Sequence, residues 1–295
     1  MIRNTCDGTS SPPRLRCYMN LMALEGLPQA AGPLPAIREA GYDGVQFIEP
    51  VTREQIAECE RLGLGRTGLG RINDARGAFE LAARLSGEGQ ECATVHVGWG
   101  TEEDDEAARL IESVLEASEK HRLPIYAETH RATIFQDNWR TVQFVRRFPE
   151  LHFNGDFSHW YTGSEMVYGG FENKLRFIAP VLERIRFVHG RIGNPGSIQV
   201  NIDDGDEQRH PYVTHFRAMW TGAFTGFLKS AQPGDYICFV PELLAPRIYY
   251  ARVFPDPFGR LMEESDRWQQ SLVLCRIARE AFEEARRTTC RTSGS

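Results

Sequence analysis

LPIYAETHR (123–131), LHFNGDFSHW (151–160), IRFVHGRIG (185–193) and YICFVPELL (236–244) share one plan: an apolar run closes on an acid or a histidine. The closing residues are Glu128, Asp156 with His159, His189 with Arg191, and Glu242. Their leading positions are 28, 33 and 53 residues apart. A strand–helix–strand unit takes roughly 30 residues, so these steps match successive parallel strands. If the sheet closes into a barrel, side chains at the carboxyl ends of its strands converge on one point. Two Glu, one Asp and one His meeting there would make an oxygen-rich site for one divalent ion.

Working outward, the pattern supplies the remaining strands. LRCYMNL (15–21), GVQFIEP (44–50), the Gly-rich GRTGLG (65–70) and CATVHVGW (92–99) precede the four quoted runs. Helical spacing covers 33–40, 53–63, 75–85, 104–120, 138–147 and 172–184. Eight strands alternating with helices predict an α/β fold, a single (β/α)8 TIM barrel over 15–287. Long rim loops follow strand seven (194–213) and strand eight (245–260), and a final helix spans 261–287. Residues 1–14 read as a disordered lead and 288–295 as a flexible tail.

The chain has 295 residues and a net charge of −6, which argues against a phosphate-backbone partner. Lysine stands only at positions 120, 174 and 229, none of them ending a strand, so a Schiff-base nucleophile is not expected. The seven cysteines show no CxxC spacing and read as reduced and structural. No apolar run approaches the roughly 18–20 residues that span a bilayer, and the N-terminus has no signal-peptide core. A cytoplasmic protein without a membrane or nucleic-acid partner is expected.

A carboxylate after a doubly buried strand is costly unless a cation or proton neutralises it. Glu128, Asp156, His189 and Glu242 are therefore the expected ligands, with Glu128 and Glu242 doubling as proton carriers. The bland alternative is four strand-end residues that cap helices or pair with Arg. His159 is expected to touch a substrate oxygen or act in proton transfer. Arg191, two residues past His189 on the same strand face, suits a hydroxyl, carboxylate or phosphate clamp, or a surface ion pair. His96 and Trp99 at the end of strand four, Glu49 after strand two and His130 after Glu128 complete the substrate-facing set. For His96 a core histidine, and for Glu49 a helix-terminal acid, are the competing readings. Trp160, Tyr161 and Tyr168 fit either a sugar-stacking floor or ordinary core.

At these residues the chain resembles the xylose-isomerase-like TIM barrels, the sugar phosphate isomerase/epimerase group that includes hydroxypyruvate isomerase and ketose 3-epimerases. The resemblance covers roughly 15–260. It implies one divalent ion, Mn foremost with Mg, Co or Zn as alternatives, held by a Glu after strand five, an Asp-x-x-His after strand six, a His after strand seven and a Glu after strand eight. Glu128, Asp156 with His159, His189 and Glu242 match in order. The family's substrate Arg stands several residues past the strand-seven His, farther than Arg191 does.

The implied activity is isomerisation or epimerisation of a small-molecule sugar or polyol through a metal-stabilised enediolate. Dehydration or C-glycoside cleavage through the same enolate is the alternative, and a non-catalytic barrel subunit the third. A three-zinc nuclease on the same barrel would need a His-rich site and a basic face, which eight His and the net negative charge do not supply. The final helix and the aromatic 245–258 segment are candidate surfaces for a homo-oligomer.

Overall fold

The computed structural model describes residues 4–292. Eight parallel strands close into a barrel in chain order. They are β1 (Arg14–Asn20), β2 (Gly44–Phe47), β3 (Gly65–Ile72), β4 (Ala93–Val97), β5 (Ile125–Glu128), β6 (Phe153–Asn154), β7 (Ile185–Gly190) and β8 (Tyr236–Pro241). The last pairs with the first through Arg14–Tyr236 to Cys17–Phe239, so no sheet edge is left open.

Helices ring the barrel. They are α1 (Pro33–Glu39), α2 (Arg53–Leu62), α3 (Ala75–Gly87), α4 (Asp104–His121), α5 (Asn138–Arg147), α6 (Phe157–Gly163), α7 (Phe171–Phe177), α8 (Ala179–Leu182), α9 (Tyr212–Leu228) and α10 (Arg267–Thr292). Local chemistry starts and stops them. Thr52 and Gln55 form a reciprocal capping box on α2, and Gly63 ends it with φ +65°. Asp74 and Asp137 cap α3 and α5.

Side chains along each strand alternate between the helix layer and the barrel interior. Tyr18, Cys92, Tyr126, Phe187, Tyr236, Cys238 and Val240 form a separate apolar cluster that fills the lower interior. Two positions farther along, the same strands carry Asn20, Thr94, Glu128, His189 and Glu242, all buried. The barrel is thus dry below and polar above, which places the chemistry at the carboxyl ends of the strands. Gly44 and Gly65 make room for Tyr18: a Cβ at either would lie 2.5 or 2.1 Å from its ring or hydroxyl.

Several expectations need correction. Residues 4–13 are ordered, because buried groups at the bottom of the barrel need partners. Thr5 meets the Tyr126 hydroxyl through its backbone N–H (3.0 Å) and Oγ1 (2.8 Å). Asn4 bridges Asp235 (2.8 Å) and Arg186 (2.7 Å). The remaining lead residues, 1–3, lie outside the described residues, as do 293–295 of the tail. The final helix starts at Arg267, not 261, and runs through 288–292. Residues 261–263 instead pair as β10 (Leu261–Glu263) with β9 (Val253–Pro255) in a hairpin on the loop after β8. The helix expected over 172–184 is broken at Ile178, since Pro180 cannot donate to a continuing helix. β6 has only two residues and a register shift at Phe153/Asn154. All seven cysteines are free. No helix among the described residues is long and apolar enough to cross a membrane.

Candidate metal centre

Ligand atoms of Glu128, Asp156, His189 and Glu242 lie within 4.8 Å of one another, and all four residues are buried. β5, β7 and β8 deliver Glu128, His189 and Glu242 by the inward alternation of their strands. Asp156 comes from the turn after β6, where it caps α6 by accepting from the Ser158 backbone N–H.

His189 is the hub. Its Nδ1 lies 3.2 Å from Glu128 Oε2 and 3.6 Å from Glu242 Oε1. Its Nε2 lies 3.0 Å from Gln46 Oε1. Gln46 Nε2 donates to Thr94 Oγ1 (3.1 Å), and Asn20 Nδ2 donates to Gln46 Oε1 (3.2 Å). Gln46 Oε1 is therefore an acceptor, and His189 Nε2 carries the proton that it takes. The Nδ1 lone pair of a neutral His189 then points at two carboxylates. That arrangement calls for a proton or a metal ion on Nδ1.

Asn154 supports the same cluster, donating to Glu128 Oε2 (3.1 Å) and accepting from the His189 backbone N–H (2.9 Å). His96 Nε2 stands 3.2 Å from Glu128 Oε2. Glu128 Oε1 is buried without a hydrogen-bond partner, as are His189 Nδ1 and His159 Nδ1. On the other side, Arg191 is fully buried. Its Nη2 bonds Asp156 Oδ2 and reaches Glu242 Oε2 (3.1 Å) and His159 Nε2 (3.2 Å).

The electrostatics follow. Burial alone would raise the Glu128 carboxyl, but the charges of His189 and His96 hold it well below the usual range. Burial would lower His189, yet Glu242 and Glu128 raise it to about 9. Burial pushes Glu242 up, with His189 and Arg191 only partly offsetting it. Burial also opposes ionisation of Asp156, and Arg191 and His159 override it, so that carboxyl is lowered. Without a metal, three carboxylates face Arg191 and a protonated His189, and one negative charge stays unbalanced. A divalent ion beside a neutral His189 balances the set, so these residues fit such an ion.

The histidines on the rim form a wall. The His130 ring lies tilted between His96 (centroids 4.2 Å) and His159 (3.8 Å), and burial lowers His130 to about 2. Tyr250, from the loop after β8, closes the row 6.1 Å from His159. Two expected substrate contacts are not drawn in. Trp99 is 55% exposed and stacks on Arg71 (3.9 Å), and Glu49 is exposed past the end of β2. Gln46, three residues earlier, is the residue that β2 brings to the site. Trp160 and Tyr161 are wholly buried: they bond the Phe135 carbonyl (2.9 Å) and His215 (2.8 Å) as ordinary core. Tyr168 is 59% exposed. The neutral amides Asn20, Gln46 and Asn154 carry no metal-ligand signature. Their only mark in the sequence is a polar residue interrupting an apolar strand.

No protein-family model matches the sequence, and no curated protein does. Solved structures do match the fold. The probable 3-DHS dehydratase AsbF from Bacillus anthracis aligns with TM-score 0.52 and 11% identity, over 77% of this chain and 92% of that one. A sugar phosphate isomerase/epimerase from Parabacteroides distasonis gives 0.51 and 10%, over 93% and 94%. A xylose isomerase-like TIM barrel protein from Mycobacterium smegmatis, in complex with magnesium, gives 0.50 and 12%, over 95% and 99%. The fold of this chain is the barrel found in these solved structures, the xylose isomerase-like TIM barrel protein among them.

Proposed function

We propose that this chain is a divalent-metal-dependent isomerase or epimerase of a ketose or polyol. The observation that carries the reading is the convergence of two buried carboxylates, Glu128 and Glu242, on the unpartnered Nδ1 of His189. Glu128, His189 and Glu242 would hold the ion, which would supply Lewis-acid polarisation of a carbonyl and stabilise negative charge developing on its oxygen.

The chain's own groups do the rest. Glu128 stays ionised, held by Asn154 and His96 on Oε2, and is the base that accepts the α-proton. Glu242, whose carboxyl burial raises, returns a proton to the neighbouring carbon or the opposite face. His159, its Nε2 set against Arg191, presents Nδ1 to a substrate hydroxyl. His96, His130 and Tyr250 line the rim beside His159.

The test is proton exchange. Manganese-loaded enzyme is incubated with a panel of ketoses in heavy water, and loss of the α-proton signal is followed by NMR. Exchange in wild type that disappears in both Glu128→Gln and Glu242→Gln supports the reading, whereas unchanged exchange in both variants removes the proton shuttle. Accumulation of an unsaturated product instead assigns β-elimination to the same site.

A further inference from the structure

We propose that Asp156 is the fixed counter-ion of Arg191, and that the divalent ion is held by three side chains, Glu128, His189 and Glu242. The inference rests on the metal-centre reading above and departs from the four-residue set that the strand-end pattern suggests.

The argument is one of satisfied valence. An ionised carboxylate offers about four lone-pair directions, and three hydrogen bonds already occupy Asp156. Oδ1 accepts from the Ser158 backbone N–H (3.0 Å) and the Ser158 hydroxyl (2.5 Å). Oδ2 accepts from Arg191 Nη2 and lies 3.4 Å from His159 Nε2. Ser158 Oγ in turn accepts from Arg191 Nε (3.1 Å), which closes a ring of Asp156, Ser158 and Arg191.

The free positions lie elsewhere. Glu128 Oε1 and His189 Nδ1 have no hydrogen-bond partner. Glu242 Oε1 meets only a long Asn20 amide contact (3.3 Å) and faces His189 Nδ1. The backbone explains the division. β6 stops after two residues, so Asn154 rather than Asp156 sits inside the strand layer, where it bonds Glu128 and His189. Asp156, one turn farther on, caps α6.

Asp156 then acts through Arg191 as a positioning residue. Arg191 Nη2 holds Glu242 Oε2 at 3.1 Å and Nη1 donates to the Glu242 carbonyl (3.2 Å), which leaves Oε1 turned to His189. Three protein ligands leave coordination positions open for two substrate oxygens, as catalytic sites require.

Calorimetric titration of metal-stripped protein with Mn2+ tests this on wild type, His189→Gln, Asp156→Asn and the double variant Asp156→Asn/Arg191→Gln. Loss of a ligand in His189→Gln is expected to weaken binding well beyond about a hundredfold, and Asp156→Asn about 10- to 100-fold. The double variant removes both charges of the pair and keeps an amide donor at position 191 for Glu242, so its affinity recovers to within a few-fold of wild type. Asp156→Asn as weak as His189→Gln, with no recovery in the double variant, overturns the assignment. Should Asp156→Asn fail to fold, the charge-neutral double variant decides alone: near-wild-type affinity supports the assignment and a hundredfold loss overturns it. Wild type that takes up no Mn2+ overturns the metal reading itself, and this assignment with it.

Discussion

Replacing Gln46 by Met should weaken the metal centre without touching a ligand. Gln46 is buried and nearly the same length as Met, so the change keeps volume and removes only polar function. Three contacts go: His189 Nε2 at 3.0 Å, Asn20 Nδ2 at 3.2 Å and Thr94 Oγ1 at 3.1 Å. The His189 Nε2–H then lacks its acceptor, and the ring is free to turn or to move its proton to Nδ1, where the ion must bind. Loss of such an outer-shell partner typically weakens metal binding about 10- to 100-fold, or about 1.4–2.7 kcal/mol. Asn20 still reaches Glu242 Oε1 (3.3 Å), so its amide is not stranded. Gln46→Glu keeps an acceptor opposite His189 and should bind at least as well as wild type. The assay is Mn2+ titration calorimetry at pH 7.5, with a circular dichroism melt to show that each variant is folded. Folded Gln46→Met that binds Mn2+ as tightly as wild type would refute the claim that Gln46 sets the His189 tautomer.

Gly190→Ala should destabilise the protein and loosen the site together. A Cβ there would lie 2.1 Å from Phe239 Cζ, and that ring is held edge-on by Trp220 at 5.0 Å. Overpacking of this kind costs about 1–3 kcal/mol, or roughly 2–10 °C in melting temperature for a chain of this length. An unchanged melt would show that the Phe239 layer yields freely. Acid should destabilise the fold through His152, which burial, with the nearby charges of Arg186 and Arg184, lowers from 6.5 to about 3. The unfolded chain therefore binds a proton that the folded chain refuses between those values, so this contribution is complete above pH 6.5 and is lost as pH falls toward 3. The drop in melting temperature from pH 7.5 to 5 should shrink in His152→Gln, and an equal drop in both proteins contradicts the assignment. Tyr126→Phe removes the hydroxyl that the Thr5 backbone N–H and Oγ1 meet, and should raise protease cleavage within residues 4–13 while sparing the barrel. Unaltered cleavage there would show that the lead is held by other contacts.

The barrel was legible because its strands are buried on both faces and so appear as apolar runs, each closed by one polar residue. Glu128, Asp156, His189 and Glu242 stood out for the same reason, and the structure brings all four together. What escaped has physical causes. α9 is apolar on nearly all sides, buried between the barrel and α10, and so lacks the one-sided pattern of a surface helix. α6 is seven residues of mostly aromatic and polar side chains, too short to show a period. The lead at 4–13 is polar and rich in turns, and its order comes from partners more than a hundred residues away, such as Tyr126 and Arg186. Glu49 reads in the sequence as a charged strand-end residue, but β2 ends at Phe47 and it is Gln46 that meets His189. Arg191 lies two residues past His189, and its wholly buried guanidinium meets Asp156, Glu242 and Ser158, long-range partners that the strand pattern does not show.

The most direct measurement is anomalous diffraction from crystals soaked in Mn2+, recorded at the manganese edge. The account predicts one strong peak per chain, at coordination distance of about 2.0–2.3 Å from His189 Nδ1 and from one oxygen each of Glu128 and Glu242, with Arg191 still seated on Asp156. No peak at that point, or one bound elsewhere in the barrel, would contradict it.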